Sequence, residues 1–192
     1  MKKLFTTMMA VVATMSMTLL SSCSGTSNKE DITAASSKKG FDKERAEKII
    51  SNYETKHDGQ PSSEKKEALD LLTMLYNEHA DNLEALVEKT AESGDNADLT
   101  QYIYDMGNSD THRIMCRLEE VSYHVTEREE NNKAIEQVLN ALNKAYEFID
   151  KDEEDPNGSK NPPLFSSNYT PQKAIEGVAR HFAGIYLHHS KQ

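Results

Sequence analysis

Tryptophan is absent from this chain, and cysteine nearly so, with two among 192 residues, Cys23 and Cys116. Two cysteines allow one disulfide at most, so a disulfide framework is excluded and a packed apolar core must hold the fold. Glycine is scarce, with eight residues, and no stretch of alternating β-branched residues is long enough for a strand. The fold class expected is therefore all-α. There is no repeat at 30 to 45 residues. A nucleophile elbow, a phosphate-binding loop, a His-Glu-x-x-His zinc motif and a paired-carboxylate signature are all missing. Their absence weighs against an enzyme without excluding one, since catalytic triads need not be local in sequence. Positive charge is short as well: 22 basic residues face 32 acidic ones, a net charge of −10. That balance argues against nucleic acid as a partner, because such affinity comes largely from Lys and Arg on phosphates.

What is present begins at the N-terminus. Lys2 and Lys3 are followed by an uncharged stretch of Leu, Phe, Met, Val, Ala and Thr from Leu4 to Leu20. A charged start and an apolar stretch form the layout of a secretory signal. Thr and Ser dilute the stretch, which makes it a poor permanent span. Leu20-Ser21-Ser22-Cys23 then places an aliphatic residue and two small ones before a cysteine. This resembles the lipobox of bacterial lipoproteins. The resemblance implies cleavage before Cys23 and lipidation of its thiol, with two or three acyl chains giving stable attachment. Ser24 stands where an Asp would resemble an inner-membrane retention signal. Lys29-Glu30-Asp31 resembles the surface-export signal of Bacteroidota lipoproteins, although it starts six residues after the cysteine, later than that pattern prefers. A solvated charge cluster in a tether explains it equally well. The expected address is the outer membrane, facing either the cell surface or the periplasm. Removing residues 1–22 takes away Lys2 and Lys3 and no acid, leaving 20 basic against 32 acidic residues, a net charge of −12. With Cys23 lipidated, Cys116 has no partner for an intramolecular disulfide.

Residues 24–40 are mostly Ser, Thr, Lys, Gly and Ala, with Asn28, Glu30, Asp31 and one isolated Ile, and 23–40 reads as a lipidated flexible tether. The rest, 41–192, reads as one bundle of four to five helices. The first starts near Asp42, with Ala46, Ile49, Ile50 and Tyr53 at helical spacing. The second, long, is capped by Ser62 or Ser63 and ends at Ser93-Gly94-Asp95, with His79 to Asn82 as a potential break. A short third spans 97–106, with Gly107 as its stop. The fourth is the most regular. Ile114, Leu118, Val121, Val125, Arg128, Asn132, Ile135, Leu139, Leu142, Tyr146 and Ile149 step by four and three. This predicts one long helix with a polar centre; the alternative is two helices joined near Asn131-Asn132. Residues 151–169 carry Asp155-Pro156-Asn157-Gly158 and Asn161-Pro162-Pro163 and read as a long loop. The last helix opens with Thr170 as cap and Pro171 at its first position. Its Gly177 and Gly184 are placed to let a neighbouring helix come close.

Chemistry-bearing residues are few. His112 and Cys116 are four apart and share a helix face, where a metal ion bridges them if Glu119, Glu120 or His124 completes the set. An incidental His beside a partly buried Cys explains the same pair. His181 and His188 are seven apart on the last helix and would bind metal or haem, or respond to pH. The plainer reading of His188 and His189 is a basic last turn complementing the helix dipole. No cofactor beyond the lipid on Cys23 is expected outright. The leading expectation is a lipid-anchored module that holds a protein or envelope component. A metal- or haem-binding bundle comes second, and an envelope hydrolase third.

Overall fold

The computed structural model describes residues 40–56, 59–149 and 170–191, all within the compact unit Lys39–Gln192. The signal, Cys23, the Lys29-Glu30-Asp31 cluster, the tether up to residue 39 and the 151–169 loop lie outside the described residues.

The described residues are all-α and contain no strand. Six helices follow in order: α1 Lys43–Lys56, α2 Ser62–Ser93, α3 Ala97–Asn108, α4 Asp110–Ser122, α5 Glu129–Tyr146 and α6 Pro171–His189. None is long and apolar enough to cross a membrane.

Their ends follow local chemistry. Asp42 Oδ1 accepts from Arg45 N at 2.9 Å and starts α1. Pro61, at φ −59° and ψ 145°, occupies the N-cap position of α2 without a side-chain cap, so Ser62 opens the helix and neither serine caps it. At its other end Gly94 takes φ 74°, and its N–H donates to Thr90 O. Only glycine adopts that left-handed conformation at no steric cost. The 32 residues of α2 run unbroken through His79–Asn82. Gly107 does not stop α3, which continues to Asn108. Ser109 Oγ accepts from His112 N at 3.2 Å and caps α4. Thr170 and Pro171 start α6 as expected, with Thr170 Oγ1 accepting from Lys173 N at 3.3 Å.

α2 is the central element and packs most extensively on α5 and α4; α6 lies on α5 and α3, and α1 on α4. Leu72, Leu83, Leu118, Ile135 and Ala141 are fully buried, and Tyr76 meets Phe182 edge-on with centroids 5.3 Å apart. Val138, Ala141 and Ala145 are buried beside the seam residues of α5 and widen its apolar arc. Gly184 is exposed, and a Cβ there would meet nothing within 4 Å, so no helix closes on it among the described residues.

The fourth segment is two helices, and the break falls at 123–128 rather than at Asn131-Asn132. Arg128 explains it. Its Nε donates to Val125 O at 2.6 Å, and its Nη2 donates to Ser122 O at 2.8 Å and Tyr123 O at 2.6 Å. The last carbonyls of a helix lack intrahelical partners. Here a buried guanidinium supplies them, and the chain turns around it.

Candidate metal centre

α4 and α6 bring together residues 65 positions or more apart in sequence. His112, in the first turn of α4, places its Nε2 3.7 Å from Cys116 Sγ, one turn further on. The His112 ring meets that of His181 on α6, with centroids 5.0 Å apart and planes at 61°. One donor atom from each of the three lies within 4.8 Å of the others. Cys116 is exposed, and the two imidazoles are partly buried. His181 Nε2 is buried and has no hydrogen-bond partner.

Burial holds the His112 imidazole below the usual histidine range. Burial, aided by nearby His112, does the same for His181 against an opposing pull from Glu119. Both rings are therefore neutral near pH 7 and present lone pairs. Burial, with Glu119 nearby, pushes the Cys116 thiol up, so an incoming ion must displace its proton.

The third donor is not one of those the helix spacing suggested. Glu120 accepts from Arg117 at 2.6 Å. The exposed His124 lies edge-on to Tyr123. Glu119 is committed to a second cluster. His188 is not part of the group. Seven residues place it about 10 Å from His181 along the helix axis, and it stacks on Tyr123 instead.

A second, more buried cluster joins Tyr76 of α2, Glu119 of α4, Arg128, Asn132 of α5 and His189 of α6, and sequence reasoning missed it. Tyr76 OH donates to Glu119 Oε1 at 2.8 Å. His189 Nδ1 meets Asn132 Oδ1 at 3.0 Å. Arg128 Nη1 also contacts His189 Nε2. Glu119 Oε2 lies 3.4 Å from that same nitrogen and 4.0 Å from Arg128 Nη1, which makes Arg128 its counter-charge. Burial alone would raise the Glu119 carboxyl. The contacts with His189, the Tyr76 hydroxyl and Arg128 outweigh it and hold the group below the usual carboxylate range. His189, in the last turn of α6 as the sequence implied, is buried at 6 % exposure. The available signal was Arg128 and Asn132 interrupting an apolar seam.

A groove of about 450 Å³ lies elsewhere, between α2 and the start of α5, lined by residues such as Lys66, Asp70, Thr73, Arg128 and Asn131. It has no His or Cys in its lining. Comparison with known proteins finds no matching family model, no similar curated protein and no similar solved structure.

Proposed function

We propose that the protein is a transition-metal-binding helical bundle, held at the bacterial cell envelope by lipid on Cys23. The observation that carries this reading is the arrival of His181 from α6 at the His112–Cys116 pair of α4, with three donor atoms within 4.8 Å. Two neutral imidazoles and one thiol form a donor set for a soft or borderline ion, and hard cations such as Ca²⁺ or Mg²⁺ prefer oxygen. The buried, unpartnered His181 nitrogen supports it, since an uncompensated buried polar atom is costly and an ion removes the cost. The charged n-region and the Leu20-Ser21-Ser22-Cys23 sequence support the anchor. They also support an outer-membrane address, on the cell surface or facing the periplasm.

This reading is preferred to a protein- or envelope-docking module. Among the described residues the exposed large apolar side chains are Met74, Tyr123 and Leu187, too few for a hydrophobic docking face. It is preferred to a hydrolase because Glu119, the nearest candidate base on α4, is bound up in the Tyr76–Arg128–His189 network. Titration of the reduced protein with Co²⁺ and Zn²⁺ tests it. The expected result is one ion per chain, a sulfur-to-cobalt charge-transfer band, and loss of both in His181→Gln. A protein that takes up neither of these ions, nor Cu⁺ under reducing conditions, sinks the proposal. The anchor is tested separately: Cys23→Ala should move the protein from the membrane fraction to the soluble one.

A further inference from the structure

We infer that the ion this centre is built for is monovalent copper, held three-coordinate by His112, Cys116 and His181. The inference rests on the metal-binding reading above and gives it a particular occupant.

The first argument is the number of donors. A zinc site closed by protein takes four ligands, and an open one keeps a water in the fourth position. Among the described residues no further His, Cys, Asp or Glu joins the group of three. The nearest acids on α4 are engaged, Glu119 by Tyr76 and Glu120 by Arg117. Monovalent copper is a soft d¹⁰ ion that is content with three ligands, and thiolate is among the donors that select it.

The second argument is the shape. An ion about 2.3 Å from sulfur and about 2.0 Å from nitrogen sees two donors 3.7 Å apart, as Cys116 Sγ and His112 Nε2 are, at roughly 120°. A trigonal centre accommodates that angle. The pair already stands at this separation, so the α4 half of the centre needs little rearrangement.

The third argument is access. Cys116 is exposed, so the sulfur sits at the mouth while His181 reaches in from the other helix beside Phe182. A thiolate facing solvent lets an ion arrive from, or leave to, another soft ligand without unfolding the bundle. The centre holds the ion in one oxidation state, and no electron transfer is implied.

The test uses the full protein in detergent, under reducing anaerobic conditions, loaded with Cu⁺ against a colorimetric copper(I) chelator and then challenged with equimolar Zn²⁺. The expected result is one Cu⁺ per chain, retained in the presence of Zn²⁺, with X-ray absorption showing one sulfur and two nitrogen ligands. Cys116→Ser should weaken retention by at least about 100-fold, at the upper end of what lost supporting interactions alone cost a metal site. His188→Ala should leave it unchanged. His112→Gln and His181→Gln should each weaken it, with circular dichroism confirming that the helices persist. Zn²⁺ bound one to one and not displaced by Cu⁺ overturns the copper assignment and leaves the metal-binding reading standing. Equal Cu⁺ retention by Cys116→Ser also overturns it. Failure to bind either ion overturns both.

Discussion

Two polar clusters bridge α4 and α6, and they differ in whether their atoms are satisfied. In the inner one, Glu119, Tyr76, Arg128, His189 and Asn132 saturate one another, and Arg128 also closes the end of α4. In the outer one, His112, Cys116 and His181 converge, yet His181 Nε2 is buried with no partner. A satisfied buried network does structural work, because every group has exchanged water for protein. The metal-binding proposal fills the converging donor set with an ion. Histidine on α6 thus belongs to a satisfied network at His189 and, under the metal-binding proposal, to a ligand site at His181.

Disrupting the inner cluster should have the largest effect. Arg128→Ala strands three carbonyls and removes the charge facing Glu119. Breaking such a buried pair costs about 3–5 kcal/mol, and urea denaturation of the metal-free protein should show that loss. A variant as stable as wild type would remove Arg128 from its structural role.

Acid should come next, through His79. Burial, with His112 nearby, lowers its pKa from 6.5 to about 4, and its Nδ1 meets Tyr102 OH at 2.9 Å. The fold favours the neutral ring, so the unfolded chain takes up the proton first as pH falls. This contribution is complete above pH 6.5 and is lost towards pH 4, about 3 kcal/mol in all. Glu119 adds a separate loss at lower pH, as its depressed carboxyl is protonated. His79→Gln should flatten the stability profile between pH 6.5 and 4 and leave the lower limb in place. An unchanged upper limb would show that His79 is not its source.

Metal should stabilise the protein by a similar or smaller amount, about 2.7 kcal/mol at 100 times the dissociation constant, read as a thermal shift. Removing only the Tyr76 hydroxyl, in Tyr76→Phe, takes one donor from a carboxylate, worth about 1.5–3 kcal/mol, and should leave metal uptake intact. The smallest effect sharpens the contrast most. Cys116→Ser, at an exposed position, should change metal-free stability by less than about 0.5 kcal/mol while abolishing the metal-dependent shift. A large loss of stability without metal would make Cys116 a packing residue and erase the distinction between the clusters.

Much of the helical framework was legible in the sequence, at particular places for particular reasons. Thr170-Pro171 starts α6 and Gly94 ends α2 because cap and left-handed positions impose local demands that few residues meet. The stripe Ile135, Leu139, Leu142 identified the core face of α5 because burial repeats with the helix period. The 123–128 break was hidden because the apolar stepping runs straight across it. Nothing periodic distinguishes a polar residue facing water from one folded back onto carbonyls. The His112–Cys116 pair was visible as a four-residue spacing. Its third member was not, since residues 116 and 181 become neighbours only when two helices pack.

The sequence by itself determined the all-α class, where most helices begin and end, and which faces turn inward, since those follow from local dihedral preferences and the period of apolar residues. Only the tertiary structure decided that α4 and α5 separate around Arg128, that His189 is buried, and that His181 rather than His188 meets Cys116. These outcomes depend on how helices cross. Crossing is set by the summed packing of many side chains distant in sequence, and no single spacing encodes it.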